Sequence, residues 1–282
     1  MDHDSPVTEI AAYRSQDHSA LQAQLTIRQI MTPRRAFLCA LEGEPINDAF
    51  FNVPEIYDAL PVIEGSNRHD ASADVVGIID RRQVRPAQFR QSVQTHMQEL
   101  SGAEVRDDMS LLDFAAQGRV DELTLVRNCD VGSIAGLVTI HDLQRLPVRI
   151  AMFAALTTLE EDIGVVLDIV ASDPQTWPDL IDDPTGKLKS EITTGLKRAS
   201  RHDDLGSPIL AMTFGVKLAL LDGLYDCGRL SQGRRPDTRV IRETRNDIAH
   251  GKPFQNIDRV AFAAKSLVEL HSSIKKFIEI QS

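Results

Sequence analysis

The order helix, strand, strand, helix occurs twice in the first half of this chain, about 60 residues apart, and that repetition limits its possible folds more than any other feature. In the first copy, Pro45 to Phe50 opens a helix expected to run to about Ala59. Leu60-Pro61-Val62-Ile63 then reads as a short apolar strand, residues 65–74 as a polar loop, and Val75-Val76-Gly77-Ile78-Ile79 as a second strand, with helix again from Asp80. In the second copy, Asp108 to Phe114 starts a helix and Glu122 to Val126 is a strand. Cys129 to Ser133 makes a turn, Ile134 to Thr139 is the next strand, and a helix begins at Ile140-His141-Asp142-Leu143. Residues 1–24 read as a mobile polar tail or one short helix.

The rest of the chain has a different pattern. Helices are expected over residues 151–171, 187–199, 209–225, 239–250 and 257–280, with an acidic, proline-rich loop around Pro174, Trp177, Pro178 and Pro184. Five helices joined by polar connections make a helical bundle. The fold class is therefore α+β, with the repeat in residues 25–150 and an all-α domain in residues 151–282.

Charge follows the same division. The net charge is −10, yet residues 184–282 hold 17 basic against 11 acidic side chains, while residues 151–183 hold 8 acidic and none basic. A basic last third on an acidic protein points to an anionic partner. No apolar run has the length of a membrane span, the N-terminus is not a secretory signal, and Cys39, Cys129 and Cys227 lack ligand spacing. A reduced cytoplasmic protein is expected. There is no His-Glu-x2-His, no paired cysteines and no phosphate-binding Gly-rich Lys-Ser/Thr loop, so no metal is expected.

The stretch richest in chemistry is Asp237 to Pro253. Asp237 or Thr238, after Pro236, supplies an N-cap, and Gly251 with Pro253 supplies the stop. Val240 or Ile241, Thr244 and Ile248 share the face expected to be buried. Arg235, Arg239, Arg242 and Arg245 with Asn246 share a cationic one. With 23 Arg and 8 His in the chain, chance supplies roughly 0.65 Arg-x4-His matches, which carries nothing. Requiring Asn after the Arg lowers that to roughly 0.01–0.02. Arg245 and His250 are five residues apart, so on a regular helix they point about 140° from each other. They meet around one substrate only if His250 sits at the unwinding end or if two chains pool their residues. A solvated helix face with a C-terminal His favoured by the helix dipole is the plain alternative.

The repeat resembles the tandem cystathionine-β-synthase (CBS) pair, or Bateman module, through Leu60 to Ile63 with Val76 to Ile79 and through Ile134 to Asp142. In that family the last strand enters the helix as Gly, two apolar residues, Thr or Ser, two variable residues and Asp. Gly136, Thr139 and Asp142 match. The resemblance implies an adenosine nucleotide such as AMP or ATP, with Asp142 on the ribose hydroxyls and Thr139 on ribose or phosphate. The first repeat has Asp80 and Gln83 at the corresponding positions, which implies a degraded or altered second site. Arg81, Arg82 and Arg85 are placed to face phosphates there. A CBS pair that serves only as a dimerisation plate is the other reading.

The helical domain resembles the higher eukaryotes and prokaryotes nucleotide-binding (HEPN) superfamily through Arg245-Asn246-x3-His250. The resemblance implies a metal-independent endoribonuclease acting as a homodimer in a toxin or defence role, or a member that only binds. Such cleavage needs a base for the 2′-hydroxyl, a cation on the phosphorane oxygens and an acid at the leaving oxygen. An imidazole, Arg245 as a permanent planar fork, and Asn246 as an orienting group suit those roles. One His per chain is one too few for separate acid and base, and a two-fold dimer brings two. The expected function is a nucleotide-regulated ribonuclease with RNA as substrate and no membrane partner. The alternative is a non-catalytic nucleotide-sensing or dimerisation adaptor.

Overall fold

The computed structural model describes residues 24–51, 53–55, 57–100, 104–118, 123–201, 207–230, 235, 237–252, 254 and 257–281, together with Ala20. The expected N-terminal tail falls outside the described residues except for Ala20 and Gln24, as do Glu122, Pro236 and Pro253. Two compact units divide the chain. One holds Thr26–Ser110 and Arg119–Arg145, and the other holds Leu111–Gly118 and Leu146–Ser282.

The first unit carries two four-stranded sheets. Strand β1 is Thr32–Pro33, β2 Ala40–Leu41, β3 Ala59–Ile63, β4 Val75–Asp80, β5 Gln98–Glu99, β6 Val105–Arg106, β7 Thr124–Arg127 and β8 Ile134–Val138. The sheets run β2-β3-β4-β5 and β1-β8-β7-β6. Each repeat forms a parallel pair, β2 with β3 or β6 with β7, followed by an antiparallel hairpin, β3 with β4 or β7 with β8. The fourth strand of each sheet comes from outside its repeat. β1 precedes the first repeat and pairs with β8, while β5 follows the first hairpin and pairs with β4.

Two glycines permit those edge pairings. A Cβ on Gly77 would lie 2.5 Å from the Gln98 carbonyl oxygen and 3.1 Å from the Met97 sulfur. A Cβ on Gly136 would lie 2.7 Å from the Thr32 carbonyl oxygen and 2.9 Å from the Met31 sulfur. Only glycine lets the backbones approach this closely. Val62, Ile79, Leu60 and Val93 pack with Ile46, Ala49 and Phe50 of helix α1 (Ile46–Phe50) in the first repeat's core. Cys39, Ile63, Val75, Leu125 and Leu137 form a second cluster that draws on both sheets.

Three expected helices of this unit are shorter than the pattern suggests. α1 stops at Phe50 because Pro54 disfavours helical backbone in the residue before it. The helix expected from Asp80 is a set of 3-10 turns, Arg81–Gln83, Pro86–Gln88 and Val93–Thr95, interrupted at Pro86. Ile140–Gln144 is also a 3-10 turn, ended by Arg145 in extended backbone.

The second unit is helical: α2 Leu111–Ala116, α3 Leu146–Val170, α4 Lys187–Ala199, α5 Phe214–Asp226, α6 Thr238–Ala249 and α7 Ile257–Gln281. α3 is its axis and packs against α5, α6 and α7. Met152, Leu159, Ile163 and Val166 of α3, Leu220 and Leu221 of α5, and Ala263, Ala264 and Leu267 of α7 are buried. α2, whose sequence lies inside the second repeat, packs against α7 and α3, with Leu111, Phe114 and Ala115 buried. The helix expected from Ile209 begins at Phe214, because Pro208–Ala211 is a 3-10 turn and Thr213 caps the helix proper. Trp177 is fully buried, and its Nε1 donates to the Ala171 carbonyl at 2.7 Å, which makes it a packing residue. No described helix is long and apolar enough to cross a membrane.

Candidate functional sites

Gly136, Thr139 and Asp142 stand within seven residues at the end of β8 and in the turn that follows. Thr139 is the N-cap of that turn, in extended backbone. The Asp142 carboxylate reaches back to it: Oδ2 accepts from the Thr139 backbone N–H at 2.7 Å and from its hydroxyl at 3.0 Å. Oδ1 is held by the Arg145 guanidinium at 2.8 Å, and Arg145 also donates to the Ile30 carbonyl at 2.8 Å. Asp142 is buried and Arg145 is half exposed. β1 lies alongside, with Pro33 opposite Gly136. Both Asp142 oxygens are thus engaged inside the protein, so a ribose diol reaches Oδ1 by displacing or sharing the guanidinium. Arg145 and Thr32-Pro33 carry no motif in the sequence; chain topology alone brings them here.

The matching turn of the first repeat is built differently. Asp80 caps it, accepting from the Arg82 backbone N–H at 2.9 Å and from the Arg82 side chain at 3.1 and 2.8 Å. The Arg82 hydrogen bond holds the Asp80 carboxyl below the ordinary carboxylate range. Gln83, where Asp142 stands in the other repeat, accepts from Gln98 at 2.6 Å. Arg81 donates to the Tyr57 carbonyl at 2.6 Å and lies 4.8 Å from the Phe50 ring centroid. The phosphate-facing role expected of Arg81 and Arg82 therefore needs correcting, since internal partners hold both.

The second candidate site is the C-terminal end of α6. Asp237 caps the helix through the Val240 N–H at 3.3 Å, and Ile241 and Thr244 are buried. His250 is the C-cap, its backbone N–H bonded to the Asn246 carbonyl at 3.0 Å. Gly251 at φ +66 turns the chain so that the Lys252 N–H returns to the Asp247 carbonyl at 2.9 Å. Asn246 and His250 are exposed and Arg245 is half buried. None of these three side chains has a hydrogen-bond or ion-pair partner among the described residues.

The cationic face expected around them is narrower than the sequence suggests. Arg235 pairs with Asp222 at 3.2 Å and with Asp226, and Arg239 pairs with Glu243 at 3.0 Å. Arg259 of α7 also pairs with Glu243, whose carboxyl the Arg239 hydrogen bond lowers. Arg242, Arg245 and Lys252 remain without a carboxylate partner among the described residues. Arg149 of α3 lies 5.9 Å from the ring centroid of Phe254, four residues after His250, and adds a cation that sequence reading missed.

The expectation of no metal site also needs amending. Asp107, Asp108 and Cys129 bring their potential ligand atoms within 4.8 Å of one another. Arg28 holds Asp107 at 2.6 Å and Arg106 holds Asp108 at 2.6 Å, so a cation there competes with two guanidinium groups. Burial pushes the Asp107 carboxyl up, but the Arg28 hydrogen bond and the Cys129 contacts more than reverse this and leave it lowered.

No family model matches the sequence, and no curated protein matches it. Among solved structures, the chain is similar to the CBS domain of the bacterial CNNM/CorC family Mg2+ transporter in complex with ATP. The identity is 17% and the TM-score 0.35, over 50% of this chain and 96% of that one. It is also similar to the CBS-pair protein CBSX2 from Arabidopsis thaliana, at 22% identity and a TM-score of 0.36, over 44% of this chain and 95% of that one. CBSX2 in complex with AMP gives 22% and 0.35, over 44% and 97%.

Proposed function

We propose that the chain is a nucleotide-regulated, metal-independent endoribonuclease of HEPN type, acting in the cytoplasm as a homodimer. Its sheet unit, read as a tandem CBS pair, takes an adenosine nucleotide at Gly136, Thr139 and Asp142, and its helical unit cleaves RNA. One observation carries the nuclease reading: Arg245, Asn246 and His250 stay uncommitted at a helix stop while Arg235, Arg239 and Arg259 beside them are tied to carboxylates. In a protein of this charge, cations left unpaired around an exposed imidazole suit a phosphodiester. Two such ends in a dimer supply a base and an acid, with Arg245 on the phosphorane oxygens. The test is a ribonuclease assay on purified protein with and without AMP or ATP, which overturns the reading if no RNA is cut under any nucleotide condition.

The second reading is a non-catalytic nucleotide-sensing or dimerisation adaptor that binds protein or nucleic acid. It is favoured by the His250 ring, which no described side chain orients. RNA bound but uncut in the same assay selects it.

A further inference from the structure

α3 is buried on most of its circumference, yet one stripe of its N-terminal half is apolar and open. Leu146 is 67% exposed, Ile150 39% and Phe153 50%. The spacing is four and then three residues, which keeps the side chains on one line along the helix. The same line continues through half-buried Thr157 to Glu160 and Glu161, so it ends acidic where it began apolar. Arg149 flanks its start.

We propose that this stripe is the contact between two copies of the chain, with the two α3 helices packed antiparallel about a two-fold axis at Phe153. The inference rests on the homodimer in the function proposed above and names its surface. Charge selects this occupant. Antiparallel pairing centred on Phe153 sets the start of one stripe against the end of the other, so Leu146 falls opposite the partner's Glu160 and Arg149 opposite the partner's Thr157. The Arg149 side chain is then within one helical turn of the partner's Glu160 and Glu161, outside an apolar centre made by two copies of Ile150 and Phe153. Glu160 also binds Lys217 within its own chain at 2.9 Å, which fixes its position. An apolar centre with a charged rim is the usual anatomy of a self-association surface, and a two-fold interface must be self-complementary in this way. Location agrees as well. α6 packs on α3, and the Arg149 guanidinium rests over Phe254 just past the His250 end, so an axis on this face brings two copies of that end toward each other.

Sedimentation velocity on the full chain tests this. Wild type is expected to be a dimer at micromolar concentration. Phe153→Asp and Phe153→Lys, each placing like charges on the axis, are expected to weaken the dimer on the order of 30-fold or more, with unchanged circular dichroism. Mixing the two variants is expected to restore the dimer, because the axis sets position 153 against itself. In a Cys227→Ser background, Phe153→Cys is expected to cross-link on mild oxidation far faster than Lys275→Cys. A monomeric wild type, charged variants that dimerise as tightly as wild type, or no preferential cross-link overturns the proposal and leaves the face to a different partner. The readout needs no substrate. A dimer through Phe153 that cuts no RNA defeats the nuclease reading alone, and a nuclease whose Phe153 variants stay dimeric defeats this one alone.

Discussion

Arg145 closes on Asp142 at 2.8 Å and occupies the carboxylate oxygen that Thr139 leaves open. The residue read as a ribose acceptor is thus held by a cation on the residue just before α3. The pair is half exposed on the arginine side, and such pairs contribute about 1 kcal/mol or less. A diol that makes hydrogen bonds to the same carboxylate can outcompete it.

Asp142→Ala is expected to weaken adenosine-nucleotide binding by about 1.5–3 kcal/mol, the range for hydrogen bonds to a charged group. Arg145→Ala is expected to tighten binding of unphosphorylated adenosine by up to about fivefold, since it removes a competing pair worth about 1 kcal/mol. Titration calorimetry measures both. Wild type that takes up no nucleotide at millimolar concentration leaves the sheet unit as a scaffold, and tighter binding by Asp142→Ala refutes the assignment of that carboxylate.

The glycines at the sheet edges make a sharper test of the fold. Gly77→Ala and Gly136→Ala each push a methyl group onto a backbone carbonyl, at 2.5 and 2.7 Å, which cannot move without breaking an edge pairing. Overpacking of this kind costs about 1–3 kcal/mol. Gly43→Ala meets nothing within 4 Å and serves as the control. Urea denaturation should rank both edge variants well below wild type and the control; equal midpoints for all four proteins are incompatible with these pairings.

These contrasts show where the sequence was legible. The hairpins announced themselves because β3, β4, β7 and β8 are continuous apolar runs bounded by polar loops, and α6 because Asp237 and Gly251 mark its ends chemically. Periodicity says that a face is buried and is silent on what buries it. Leu111, Phe114 and Ala115 have the same spacing whether they cover their own sheet or, as found, join α3 and α7. The same limit hid the pairing of Arg235 with Asp222 and of Arg259 with Glu243, which depends on how helices distant in sequence pack. It also hid Asp107, Asp108 and Cys129, joined only when β6 and β7 pair.

Cys39 is fully buried between the sheets, and burial pushes its thiol up to about 11. The folded state therefore keeps the thiol neutral where an unfolded chain, with its thiol near 8.5, already ionises it. The sign follows: stability from this group is intact below about pH 8.5 and falls as pH rises toward 11. Thermal melts of wild type against Cys39→Val are expected to diverge in that alkaline window, with wild type losing more. Parallel curves through pH 10.5 would contradict the burial. At pH 8, iodoacetamide is expected to label exposed Cys227 and spare Cys39.

The decisive prediction concerns His250. His250→Ala is expected to lower RNA cleavage by about 10²–10⁴-fold through lost acid–base help, and Arg245→Ala to do comparable damage through lost charge stabilisation. Both side chains lack internal partners among the described residues, so neither change removes a contact that holds α6, and melting temperatures are expected to stay near wild type. Arg239→Ala serves as the contrast: Glu243 holds it at 3.0 Å, and its loss should alter cleavage far less. Activity is expected to survive EDTA. The products are expected to carry a 2′,3′-cyclic phosphate or its hydrolysis product, because attack by the 2′-hydroxyl requires it, and an all-deoxy strand should remain whole. Cleavage by His250→Ala at the wild-type rate would remove the imidazole from the mechanism. Cleavage abolished by EDTA would move attention from the end of α6 to the carboxylates of Asp107 and Asp108.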